Sequence, residues 1–257
     1  MKSQQKIVEK LRPIDDILFQ KMAEDKSFCA EVISTIMEEQ IEVIETIPQN
    51  SIKNLQGRSV ILDALCRDEG GRTFNVEVQK ENNDNHQKRV RYNASCITAN
   101  ISEPGIKFEK VPDVCVIYIS EFDLFNKECA VYHIDRVLRE NGAILENGFT
   151  EIYVNAKASD GSDVSKLMKL FTDTDSYDYE HFPYTSGRKH QFKETEKGVN
   201  IMCKELEEYV AESNKRAAKE AAKENAKVML QDNVPVEKIK MYTGLSIEVI
   251  MDLRKSK

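Results

Sequence analysis

The sequence predicts an α/β fold: a mixed central sheet flanked by helices, with a helical extension at the C-terminal end. Three observations carry this reading. Apolar stripes at helical spacing recur on both sides of short β-like runs. Residues 113–120, DVCVIYIS, are almost continuously apolar, the signature of a strand buried on both faces. From about Gln191 the chain becomes rich in Ala, Glu and Lys, with no proline before Pro235 and one glycine near its start. The expected organisation is a core over residues 1–190, a long helix over 191–230 that is a candidate oligomerisation arm, and a small helix-turn-helix-like tail over 231–257.

The elements follow in order. Pro13 with Asp15 and Asp16 suits a helix start, and Ile17, Leu18, Phe19 and Met22 give that helix an apolar stripe. Residues 1–12 before it are polar, frayed or a short helix. A second helix is expected over about 27–39, through Phe28, Val32, Ile33, Ile36 and Met37. Ile41, Val43 and Ile47 alternate with acidic residues, which predicts a short strand ending before Pro48. Strands follow from Val60 and from Thr73, and a helix over about 86–101 stops at Pro104-Gly105. Short strands are expected at 130–134 and 152–154. Ser162-Asp163 caps a helix holding Val164, Leu167, Met168 and Phe171. Residues 172–187 read as loop. In the tail, two short helical patterns meet at Thr243-Gly244-Leu245, suited either to DNA contact or to oligomer packing.

Composition narrows the function classes. At 257 residues, 40% hydrophobic and 32% charged, the chain suits one large domain with an appendage. Its net charge of −7 gives no global attraction to nucleic acid or acidic lipid, so a DNA-binding role needs a local basic patch or metal ions. The N-terminus lacks an apolar stretch of signal-peptide length, and no run approaches the roughly 18–20 apolar residues of a membrane span. The six cysteines are scattered without a CxxC pair, which fits free thiols in a reducing cytoplasm. The four histidines have no HxH or HExxH spacing, and neither a phosphate-cradling glycine loop nor a GxSxG elbow is present.

The chemistry concentrates at residues 60–79, VILDALCRDEGGRTFNVEVQ. Asp63 and Glu77 stand where strands normally carry apolar residues, and a carboxylate there is costly unless paired. If Glu69-Gly70-Gly71 is a three-residue loop, Asp68 pairs with Arg72 and Asp63 falls opposite Glu77, roughly 5 Å apart at the Cβ atoms. A two-residue loop reverses the parity unless a bulge restores it. Opposed carboxylates repel, and one keeps a proton unless a cation intervenes. Hard oxygen ligands suit Mg²⁺ or Mn²⁺. The alternative is that Asp63 and Glu77 pair with Arg58, Arg67, Arg72 or Arg91 as surface ions.

Asp, a glycine turn, Glu-x-Gln and then a basic helix together resemble the PD-(D/E)XK nuclease superfamily, closest to its Rpn branch of recombination-promoting nucleases. DDILFQKM, RVRYNAS, DVCVIYISEFDLF and KETEKG…MCKELEE are also similar to that branch, so the resemblance covers about residues 11–210. It implies a restriction-endonuclease-like sheet and a Mg²⁺-dependent DNA endonuclease, with Mn²⁺ substituting, linked to recombination or transposition. Asp63, Glu77 and the Val78 carbonyl are implied as metal ligands, and Asp16 as an acidic residue facing the same metal. Gln79 takes the position where the superfamily usually has lysine; many members of the branch carry glutamine there. Gln20 stands where the branch often has lysine. Lys88, Arg89 and Arg91 are the implied DNA contacts. Arg89 and Arg91 lie about 200° apart on a helix, so they cannot both face the site. Either Arg89 or Lys88 fills that role with Arg91 in a structural ion pair, and Tyr92 packs. The rival reading is a decayed nuclease core acting as a DNA- or protein-binding module. A homodimer through the C-terminal helix is a further expectation.

Overall fold

A computed structural model describes residues 2–52 and 60–255. The chain divides into two units, Met1–Cys203 and Lys204–Lys257, each described by itself. The first unit opens with α1 (Lys2–Val8), α2 (Asp16–Met22) and α3 (Lys26–Met37). Pro13 lies ahead of α2, whose N-cap is Asp15. Asp25 caps α3 by accepting from the Ser27 and Phe28 N–H groups, satisfying two of the donors that a helix start leaves open.

A six-stranded sheet follows, in the order β1-β2-β3-β4-β6-β5. The strands are β1 (Val43–Ile52), β2 (Val60–Asp68), β3 (Thr73–Gln79), β4 (Val114–Ser120), β5 (Val131–Ile134) and β6 (Phe149–Asn155). β1, β2 and β3 form an antiparallel meander. Helix α4 (His86–Ile101) then carries the chain over to β4, which runs parallel to both β3 and β6. A parallel pair needs such a crossover. β1 is longer than expected because it runs through Pro48, which pairs with Ala64. Proline lacks an N–H, and at an edge strand the missing donor faces outward and costs no ladder bond.

β4 is buried along its whole length, as its apolar run predicts. Alternate residues serve opposite faces. Val114, Val116 and Tyr118 pack with Val90, Ala94 and Ile97 of α4, with Tyr92 at the margin. Cys115 points the other way, its Sγ 3.9 Å from Met37 Sδ of α3. On the α3 side, Phe19, Phe28 and Phe171 bring their rings within 6.0–6.3 Å of one another, uniting α2, α3 and α5 (Asp163–Thr172). Asp160 and Ser162 form the turn and N-cap that start α5.

Residues 172–187 are only partly loop, because α6 (Pro183–Glu194) begins at Pro183, a residue suited to a helix's first position. The long helix α7 (Glu196–Gln231) accordingly starts at Glu196 and not near Gln191, which lies inside α6. Thr195 breaks the two helices, its backbone extended and its Oγ1 accepting from Gly198 N at 3.1 Å. A Cβ on Gly198 would meet Gln191 O at 1.8 Å, so the close approach requires glycine. Two lysines on α6 are buried. Lys189 Nζ donates to the carbonyls of Leu170, Asp173 and Ser176, fastening the end of α5 to the segment after it. Lys193 Nζ donates to Thr174 O.

In the second unit, α8 (Val236–Thr243) and α9 (Ile247–Lys255) join the later part of α7 around Ala226, Ile239, Leu245 and Ile250. Gly244, with φ of +69°, ends α8 in the left-handed conformation that glycine adopts freely. Among the described residues no helix is long and apolar enough to cross a membrane.

Candidate active site

The hairpin loop sets the geometry. Asp68 N donates to Arg72 O at 3.1 Å, Gly71 N donates to Asp68 O at 3.1 Å, and Gly71 holds φ of +83°. This is the three-residue loop. Leu65 lies opposite Asn75 and Ala64 opposite Val76, so the next step of the same register sets Asp63 against Glu77. The arginines proposed as ion partners are engaged elsewhere: Arg67 with Glu45, and Arg72 with Asp68 and Glu39. Arg91 is exposed and has no ion pair among the described residues. Arg58 lies outside them.

Asp63 is held at both oxygens. Oδ2 accepts from Val78 N at 3.1 Å and Oδ1 from Gln20 Nε2 at 3.0 Å. Gln20 Oε1 in turn accepts from Gln49 Nε2. Val78 therefore turns its N–H toward β2, whereas Gln79 O accepts from Glu121 N beyond the other edge of β3. In an extended strand a residue's N–H and C=O point to the same edge, so the Val78 carbonyl faces the Asp63 side.

Burial, and then the nearby charge of Asp16, push the Asp63 carboxyl up to about 7. Burial and then Asp63 push Glu77 well above the usual carboxylate range. Asp16, the first residue of α2, is also raised, chiefly by burial. Glu77 is 6% exposed, and its Oε1 has no hydrogen-bond partner among the described residues. Asn75 and the Asp63 backbone favour its charged form, and the unpartnered oxygen leaves one position open to a ligand.

Gln79 does not reach either carboxylate. Its Oε1 accepts from Arg89 Nη1 at 3.0 Å and its Nε2 donates to Glu81 O at 2.9 Å. Arg89, one-third exposed, also donates from Nη2 to Asp84 Oδ2 at 3.1 Å. Its positive charge favours ionisation of Asp16, Asp63 and Glu77 alike. Lys88 and Arg91 stand exposed on other sides of α4. The helix thus brings Arg89 to the carboxylates and leaves the other two basic residues in solvent.

Several contacts are not foreseen from sequence. The sequence marks Gln20 only as standing where the branch often has lysine. It lies four residues after Asp16, so both share one face of α2, and that spacing is the available signal for its bond to Asp63. Lys80 Nζ bonds Asp15 Oδ1 beside Asp16. Arg12 binds both oxygens of Glu121, at 2.6 and 2.9 Å. Behind Glu77, buried His86 bonds the Tyr118 hydroxyl through Nδ1 at 2.7 Å and Asn82 Oδ1 through Nε2 at 3.1 Å.

Among the described residues no three His, Cys, Asp or Glu side chains form a group able to hold a metal ion unaided. The arrangement instead offers two opposed carboxylates, which suits Mg²⁺, an ion that commonly takes one or two carboxylates and completes its shell with water and substrate phosphate. The unpartnered Glu77 oxygen and the raised carboxyls fit such a cation.

The family model described as PD-(D/E)XK nuclease family transposase matches residues 16–231. The chain belongs to that family. The match spans Asp16, Asp63, Glu77, Gln79 and Arg89, so the PD-(D/E)XK assignment covers the whole carboxylate cluster and the basic helix beside it. It supports a nuclease or transposase-like function, and the mixed six-stranded sheet with helices on both faces is the α/β architecture of a PD-(D/E)XK protein. No curated protein and no solved structure matches the chain.

Proposed function

We propose that this chain is a cytoplasmic, Mg²⁺-dependent DNA endonuclease that hydrolyses phosphodiester bonds in recombination or transposition-like processes. The observation that carries the reading is the opposition of Asp63 and Glu77 with a buried, unpartnered oxygen on Glu77. Asp63, Glu77 and the Val78 carbonyl would hold the cation, with Mn²⁺ able to substitute, and Asp16 adds negative charge beside them. When bound, the cation supplies a Lewis acid that offsets charge on the scissile phosphate. Gln20 and Val78 N fix the Asp63 carboxylate, so the donor set is oriented before substrate arrives. The upward shifts of Asp63 and Glu77, caused first by burial, are ones that a bound cation would relieve. Arg89 meets the DNA phosphates nearest the carboxylates, while Lys88 and Arg91 contact the backbone farther along. A Mg²⁺ nicking assay on supercoiled DNA, wild type against Asp63→Ala, tests the assignment. Loss of cleavage in the variant supports it, and equal cleavage by both sinks it.

A second reading, a decayed nuclease core that binds DNA or protein, draws on one feature: both Asp63 oxygens already have protein donors. Under it, Mg²⁺ and Mn²⁺ give no heat by calorimetry, even with DNA present, and binding survives the Asp63→Ala, Glu77→Ala double variant. The nuclease is further proposed to dimerise through α7. Sedimentation of the chain truncated after Val210 reads this directly, and an unchanged oligomeric state excludes the helix.

A further inference from the structure

Gln79 and Arg89 form a matched pair in which each explains the other. The Gln79 amide is fixed at both ends: its oxygen takes a guanidinium N–H at 3.0 Å and its nitrogen gives to the Glu81 carbonyl at 2.9 Å. Reversing the amide would set donor against donor and oxygen against oxygen. Asp84 holds the second terminal nitrogen of the same guanidinium at 3.1 Å. Two of the five N–H donors are thereby used, and among the described residues the other three have no partner. A planar fork with free donors matches the oxygens of a phosphate.

The identity of residue 79 follows from this pairing. A glutamate would hold Arg89 more tightly but would neutralise it and add negative charge beside Asp63, Glu77 and Asp16. A lysine would repel it. Glutamine orients the guanidinium and leaves its charge intact for an anion. Asp84 is a weak competitor for that charge, because its carboxylate is 43% exposed and such surface pairs are screened.

We propose that Arg89 is a catalytic residue that contacts a non-bridging oxygen of the scissile phosphodiester, and that Gln79 is the positioning residue that aims it. This rests on the nuclease reading above. Its consequence is opposite to intuition: adding a lysine at position 79 harms the site, although it adds a positive charge next to the carboxylates.

The test compares cleavage of a defined duplex in Mg²⁺ by wild type, Arg89→Gln, Arg89→Lys, Gln79→Lys and the exchanged pair Gln79→Lys/Arg89→Gln, with Asp63→Ala as control. Arg89→Gln is expected to lower kcat on the order of 10²-fold with a smaller change in KM, since the contact is worth most as charge develops. Arg89→Lys recovers part of that loss. Gln79→Lys lowers kcat similarly, and the exchanged pair regains activity over either single variant. A second readout needs no turnover: Mn²⁺ calorimetry on the DNA-free full chain should show tighter binding by Arg89→Gln, because a cation beside the carboxylates has been removed. Gln79→Lys equal to or faster than wild type, a pure KM effect of Arg89→Gln, or unchanged Mn²⁺ affinity would each overturn the proposal. Wild type no faster than Asp63→Ala sinks the nuclease reading and Arg89 with it. Wild type active, Asp63→Ala dead and Gln79→Lys fully active sinks the Arg89 proposal alone.

Discussion

Gln20 Nε2 donates to Asp63 Oδ1 at 3.0 Å, tying the second turn of α2 to the middle of β2. A neutral amide orients the carboxylate without neutralising it, which leaves Asp63 pushed up to about 7 by burial and Asp16. Replacing Gln20 with leucine keeps the bulk and removes the donor. The Asp63 carboxyl then rises further, because a hydrogen bond to its charged form is lost. Carboxyl-carbon NMR titration of metal-free protein checks this; an unchanged midpoint removes Gln20 from the account.

The same carboxyl makes metal-free stability depend on pH. Its ordinary value is 3.8 and its folded value about 7. Between the two, the folded chain binds more protons than the unfolded one. Stability from this group is therefore full below 3.8 and is lost as pH rises through about 7. Glu77 acts in the same direction. Urea midpoints at pH 5 and pH 8 should fall more for wild type than for Asp63→Asn, both in chelator. Equal falls would mean that Asp63 ionises without penalty.

Glu77→Gln separates stability from function at the opposed pair. The amide keeps the shape and, at a pH where both carboxyls are ionised, removes repulsion with Asp63 and a charge from a site that is 6% exposed. The metal-free melting temperature should rise by about 2–4 °C, the scale of 1 kcal/mol in a domain of this size, while cleavage disappears. A lower melting temperature would show that the buried charge is compensated.

Which parts of this were readable from sequence follows from where local chemistry decides the outcome. The opposition of Asp63 and Glu77 was readable because loop parity is set by three residues, and Gly71 supplies the required positive φ. β4 was readable because both its faces are buried. α6 was not, since its buried positions include Thr185, Ser186, Lys189 and Lys193, which an apolar-periodicity reading counts as surface. The choice between Arg89 and Lys88 needed the rotational phase of α4, which the charge pattern alone does not contain, and the ion pair expected of Arg91 is not present among the described residues. Gln79 read as an isolated substitution, because its partner lies ten residues away on another element.

Lys189→Met probes a contact that the sequence hid. Its ammonium serves three carbonyls, those of Leu170, Asp173 and Ser176, in a fully buried place. Methionine fills the volume but leaves three acceptors unmet. The loss should be roughly 3 kcal/mol by urea denaturation, since each unsatisfied buried group costs about 1–3 kcal/mol and some acceptors will find water. A loss below about 1 kcal/mol would show that the carbonyls rehydrate freely.

Gly187 and Gly198 sit in adjacent helices and should respond to alanine with opposite signs. Around Gly187 an added Cβ meets nothing within 4 Å, and the residue lies inside α6. There alanine narrows the unfolded ensemble and favours the helix, a gain of about 0.5–1 kcal/mol. Around Gly198 the added Cβ falls 1.8 Å from Gln191 O and 2.9 Å from Phe192 Cα, both backbone atoms that cannot rotate aside. The end of α6 and the start of α7 must separate, losing the bond from Gly198 N to Thr195 Oγ1. That costs at least about 2 kcal/mol, in the range of overpacked cores. Thermal melts of the two single variants decide the point. Gly198→Ala as stable as wild type would show that the junction at Thr195 is loose, and the buried lysines of α6 would then lack the rigid frame that places them.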